Sequence, residues 1–180
     1  HAGDWPHWRG ARFDGVSTET IKPGASPKIL WKAQAGIGFS SFSVAAGRVY
    51  TMGHEEGKDT IWCFDAATGK TVWSHSYDSD LGDKYFEGGT TGTPTVDGGR
   101  VFALSRWGDV FCLDAASGKI VWNRNVRQDA DLRIPDWGFS GSPLVSGSTL
   151  LLNMAESGVA LDKTTGKTLW QSKNKDAGYS

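Results

Sequence analysis

The sequence predicts an all-β array, and three observations carry that reading. One phrase occurs three times, at Cys63–Trp73, Cys112–Trp122 and Ala160–Trp170. Its tryptophans step by 49 and 48 residues, and a unit of that size cannot bury its apolar face without neighbours of the same kind. The chain is also rich in glycine and aromatic residues (24 Gly, 9 Trp and 8 Phe among 180), while no segment shows a capped 3.6-residue period. Short strands and tight turns are therefore expected, and helix nowhere.

Residues 1–27 read as an N-terminal extension. It opens on His1-Ala2-Gly3, which has the small-residue character left behind when a secretory signal is removed. In residues 28–35, Ile29-Leu30-Trp31-Lys32 copies the last strand of a unit without the strands before it, so this stretch is expected to be an orphan closing strand. Three full units follow, at 36–76, 77–125 and 126–173, and 174–180 resembles the opening of a fourth. Each unit holds four strand-like runs. They are expected near 40–45, 48–52, 60–65 and 70–75 in the first; 91–96, 100–105, 109–114 and 119–124 in the second; and 141–145, 148–153, 158–162 and 167–171 in the third. Val49-Tyr50 and Val101-Phe102 are β-branched and aromatic pairs that suit a sheet. Four strands at this period make a β-propeller blade. The fold class is thus a partial β-propeller of three four-stranded antiparallel blades, an open arc because closure takes about 4–8 blades.

The repeated phrase has its own mechanics. Asp65, Asp114 and Asp162 can each accept a bond from a backbone N–H two residues on. Gly69, Gly118 and Gly166 supply the positive φ that closes the turn. Trp73, Trp122 and Trp170 then fall on the outgoing strand, where an indole can pack on the next sheet. Trp122, with a blade on either side, is expected to be the most buried, and Trp170 more exposed. Cys63 and Cys112 occupy equivalent points of successive units, too far apart for a disulfide, and read as small packing residues.

The Asp, Thr/Ser, Gly and Trp of all three phrases closely resemble the tryptophan-docking motif of the PQQ-like (quinoprotein-type) propellers. That family includes quinoprotein alcohol and glucose dehydrogenases and the outer-membrane-protein assembly lipoprotein. The resemblance covers residues 28 to 180, and Cys63 and Cys112 stand where the family form has alanine. Asp4-Trp5-Pro6-His7-Trp8-Arg9-Gly10 with Asp14-Gly15 is similar to the start of secreted bacterial members. The resemblance implies seven or eight blades in a complete propeller and a periplasmic or secreted location. It also implies that active members use PQQ, calcium, a catalytic Asp and, in the alcohol enzymes, adjacent cysteines. Here the two cysteines are not adjacent, and no residue maps onto the calcium ligands or the base.

Composition excludes some functions. A net charge of −1 gives no electrostatic case for nucleic acid, and no apolar run is long enough to cross a bilayer. Asp78, Asp80 and Asp83 lack the remaining ligands of a calcium loop. The long connections 77–89 and 126–138 are the places where function concentrates. On the face they share, Arg106 and Trp107 suit a carboxylate or a planar ring, with Trp137 beside them. His54 is expected there too, as a surface histidine, and completes with Arg106, Trp107 and Trp137 the candidate ligand-binding set. The expectation is a non-catalytic binding or scaffold module whose protein, peptide or glycan partner sits on the loop face. It carries no catalytic residue, no metal and no cofactor of its own, and the remaining blades of the same chain are its further partner. PQQ and calcium belong only to a longer chain, and the alternative is the N-terminal part of a PQQ- and calcium-dependent quinoprotein dehydrogenase.

Overall fold

A computed structural model describes residues 3–20, 24, 26 and 28–172. The first sheet comprises β1 (Ser43–Ala45), β2 (Arg48–Glu55), β3 (Lys58–Asp65) and β4 (Thr71–Asp78). The second comprises β5 (Thr95–Asp97), β6 (Arg100–Leu104), β7 (Asp109–Asp114) and β8 (Ile120–Asn125). After a single-turn helix α1 (Val126–Asp129), the third sheet comprises β9 (Leu144–Ser146), β10 (Thr149–Asn153), β11 (Gly158–Asp162) and β12 (Thr168–Gln171). Each sheet is an antiparallel meander in sequence order, so the chain is all-β apart from α1 and forms an open arc of three blades.

Several local expectations need correction. The first strand of each blade is short, and residues 40–42, 91–94 and 141–143 form no strand. They run between blades instead. The Ser43 hydroxyl donates to the Pro94 carbonyl, and Thr95 repeats this to Pro143 at 2.5 Å. The backbone N–H of Thr93 donates to the Ser142 hydroxyl at 3.0 Å. Helix was not expected at all, yet Asn125 caps α1 by accepting from Gln128 N–H, and Val126 anchors the turn in the core. Residues 28–35 form no strand. The notional fourth unit lies outside the described residues.

The repeated phrase builds the joint between blades. The Asp65 carboxylate accepts from both the backbone N–H (2.8 Å) and the hydroxyl (2.7 Å) of Thr68, three residues on rather than two. Ser117 on Asp114 and Thr165 on Asp162 repeat the arrangement. Gly69, Gly118 and Gly166 follow at φ near +70°, and their missing side chain makes room for an indole. A Cβ on Gly118 would lie 2.6 Å from the Trp73 ring, and one on Gly166 would lie 2.8 Å from Trp122. The indole N–H groups then donate to Ala115 and Lys163 carbonyls at 2.9 and 3.0 Å. Trp31 does the same to Ala66, with its ring over Gly69. A bulge in each third–fourth strand pair sets Trp73 directly opposite Cys63, Trp122 opposite Cys112 and Trp170 opposite Ala160. The residue across from the indole therefore has to be small. Burial pushes the Cys112 thiol up to about 11, which keeps it an inert packing group.

Trp73, not Trp122, is the most buried of the three, at 8% exposed. The Arg48 guanidinium crosses to the Ala115 and Ala116 carbonyls, sharing the first of them as acceptor with the Trp73 N–H. In the second blade, Arg100 turns back to Asp114 instead. Trp170 is half exposed, with no described blade beyond it.

The N-terminal extension is folded as well. Trp5 pairs antiparallel with Val44 of β1, and the Pro6 carbonyl accepts from Val96 N–H of β5 at 2.7 Å. The extension thus joins the first strands of two blades.

Two outcomes are expected. Burying an indole is worth up to about 4–6 kcal/mol. Trp73→Ala should therefore cost about 3–5 kcal/mol in chemical denaturation, and more than Trp122→Ala. Separately, hydrogen bonds from Ser117, first its hydroxyl and then its backbone N–H, hold the Asp114 carboxyl below its ordinary value, as Thr68 and Thr165 do for Asp65 and Asp162. A carboxyl lowered on folding contributes stability in full above its unfolded value, about pH 4, and loses it as pH falls through the folded one. Urea midpoints should drop on acidification below about pH 4, and Ser117→Ala should shrink that drop.

Candidate functional site

One face of the arc collects the second-to-third strand turn of each blade and the connection leaving its fourth strand. Three equivalent bonds hold these together: Ser79 N–H to Gly57, Val126 N–H to Gly108 and Ser172 N–H to Gly158. The docking turns lie at the other end of the strands.

Arg106, expected at a ligand-contacting rim, is enclosed at 2% exposed. Its guanidinium donates to the Leu81 carbonyl from one connection and to the Trp137 carbonyl from the next, each at 3.1 Å. It lies over the rings of Phe86 (4.9 Å) and Trp107 (5.1 Å). Gly82 and Gly138, both at positive φ, let the two backbones come this close, because a Cβ on either would strike the guanidinium. Burial lowers the Arg106 pKa from its usual value, an effect that Asp59 and Asp80 oppose. Trp107 donates its indole N–H to the Asp80 carbonyl at 3.0 Å. Arg106 therefore braces the two long connections from beneath.

What the brace presents is aromatic. Phe39, Phe86, Trp137 and Tyr85 form a continuous run with ring centroids 5.5, 5.5 and 5.7 Å apart. Phe39, Trp137 and Tyr85 are exposed. Of the residues singled out in the sequence, the structure brings Arg106, Trp107 and Trp137 together and sets His54 in a separate cleft.

His54 is not a surface histidine: it is 5% exposed, and its Nδ1 lies 2.8 Å from Asp59 Oδ1. Asp59 also accepts from the Ser79 hydroxyl at 2.9 Å and the Tyr77 phenol at 3.4 Å. Burial first, then Asp59 and Asp109, raise the Tyr77 pKa well above its usual value, so the phenol stays a donor. Sequence reasoning missed Asp59 and Tyr77. Their signal was cross-strand register, since His54 pairs with Asp59 and Asp59 with Tyr77.

The cleft at His54, about 790 Å³, is lined by Glu55, Glu56 and Asp80, with Gln34 and Ser79 beside them, and among the described residues by no Lys or Arg. The buried guanidinium nearby is committed to carbonyls. Among the described residues no three His, Cys, Asp or Glu side chains converge as metal ligands.

With the blades and the loop face in view, the class is a PQQ-like propeller. The chain belongs to the family described as outer membrane protein assembly factor BamB, whose model matches residues 57–179. Among solved structures it resembles quinohemoprotein alcohol dehydrogenase from Comamonas testosteroni (TM-score 0.71, 18% identity), covering 94% of this chain and 27% of that one. It also resembles BamB from Moraxella catarrhalis (0.53, 23% identity, 76% of this chain and 36% of that one). A europium-containing methanol dehydrogenase gives 0.64 at 15% identity, with 81% of this chain and 27% of that one covered. At these identities the likeness is one of fold, and the chain spans about a quarter to a third of each structure's length. No curated protein matches by sequence.

Arg106→Lys tests the brace. A lysine cannot donate to two diverging carbonyls and stack between two rings. The variant should lose about 2–3 kcal/mol and speed proteolysis within residues 79–89.

Proposed function

We propose that this chain is a non-catalytic binding or scaffold module that engages a protein, peptide or glycan through its loop face. One observation carries the reading: the aromatic run Phe39, Phe86, Trp137 and Tyr85, part exposed, is braced by a buried Arg106. Rigid rings lose little side-chain entropy on binding and suit both peptide side chains and sugar faces. Arg106 and Trp107 serve here as positioning residues, and Trp137 and Tyr85 as contacts. The family description supports a location outside the cytoplasm and partners at the cell envelope. Among the described residues no helix is long and apolar enough to cross a membrane.

The dehydrogenase alternative draws on the likeness to two alcohol-oxidising enzymes. Shared fold is a weak guide to activity, and the acidic cleft disfavours it.

The test uses the full-length protein with a photo-crosslinking aromatic amino acid at position 137 or, as a control on the opposite face, at position 70. In a cell-envelope extract, position 137 should capture a discrete partner that position 70 does not. Equal capture at both positions would remove the loop face from consideration. Titration of the wild type with PQQ and Ca²⁺ is expected to give no quinone absorbance and no alcohol-dependent dye reduction; turnover would overturn the non-catalytic reading.

A further inference from the structure

The His54 cleft has its own chemistry, separate from the aromatic run. A carboxylate has no proton to donate, so the short Nδ1···Asp59 contact places the ring proton on Nδ1. Asp59 is held in turn by Ser79 and Tyr77, which fixes the ring's orientation. In the neutral ring that leaves Nε2 with a lone pair. Nε2 has no hydrogen-bond partner among the described residues. It is also absent from the unpartnered side-chain atoms sealed from solvent, which are Thr90 Oγ1 and Arg106 Nε. A largely buried ring in the wall of an open cleft thus offers one unused acceptor.

The rest of the lining supplies negative charge. Glu55 and Glu56 come from the turn after β2, with Glu56 at φ +50°, and Asp80 from the connection opposite. Among the described residues no Lys or Arg lines the cleft: Lys58 on the turn is paired with Asp78 at 2.5 Å, and Arg106 lies behind Leu81, donating to its carbonyl. An acceptor nitrogen in a cleft that also carries three carboxylates suits a group that is both a donor and a cation.

We propose that this cleft binds an alkylammonium group, its N–H donating to His54 Nε2 and its charge balanced by Glu55, Glu56 and Asp80. An ammonium has three donors and no acceptor, which matches a wall where His54 Nε2 and the carboxylates of Glu55, Glu56 and Asp80 are acceptors. A hydroxyl meets the ring but leaves the carboxylates unbalanced, and an anion meets repulsion. This inference goes beyond the loop-face reading and does not rest on it, because the crosslinking at position 137 and the titration below probe different residues.

The experiment is a titration of the full-length protein with three four-carbon probes: 1,4-diaminobutane, butane-1,4-diol and succinate. Histidine-ring ¹⁵N spectra provide the readout, and His54→Gln assigns the resonance. The diamine should saturate and shift His54 Nε2, with the diol about tenfold weaker and succinate without effect. Glu55→Gln with Glu56→Gln, both at the rim, should weaken the diamine about tenfold and leave the diol unchanged. Nα-acetyl-lysine amide, run in parallel, separates a free amine from a lysine side chain, the tighter of the two marking the source. The proposal is overturned if succinate binds as well as the diamine, if the double variant binds the diamine unchanged, or if His54 Nε2 does not respond while the diamine saturates.

Discussion

The contact on which this structure depends is an indole lying on a bare glycine. Trp31, Trp73 and Trp122 each reach into the next blade, where Gly69, Gly118 or Gly166 has no side chain to block them. That contact fixes the blade spacing only because the sequence prepares both sides. An Asp held by a Thr or Ser hydroxyl bends the chain so that the glycine sits at positive φ. On the indole's own sheet, a bulge aligns it with Cys63 or Cys112, and the small residue leaves room beneath. The two interblade cores, one around Tyr50 and Leu113 and the other around Phe102 and Leu161, fill the space these joints define.

The loop face inherits its order from the same spacing. The connections after β4 and β8 end up close enough for one guanidinium to hold both. A buried cation with carbonyl acceptors and ring faces is an expensive arrangement, and it persists where the surrounding backbone is over-determined. Here Gly82 and Gly138, at positive φ and without a Cβ, let the two backbones close on the guanidinium. The result is two neighbouring surfaces of opposite character, an aromatic run and an acidic cleft, both contacting the segment 79–86.

Blade number, strand order and the turn chemistry were legible in the sequence because they repeat. The period and the Asp-to-Trp spacing state the same joint three times. What failed to repeat was harder to read. His54 lies beside a turn that looks polar, and its ring is held by Asp59, its partner on the neighbouring strand. Arg106 reads as a rim residue until connections from two blades fold over it. The N-terminal extension has no strand pattern, so its pairing with Val44 was invisible. In each case a contact between non-equivalent segments overrode local character.

That extension bears on how the chain assembles. Trp5 and Pro6 are bonded to the first strands of the two blades that follow, so this segment is stitched to parts that come after it in the chain. As a chain emerges from the ribosome, its early domains fold before the later ones exist. These two blades are fastened at two points, by the Trp73 joint and by the extension. Two blades held at both points present the next one with an edge whose spacing is already set.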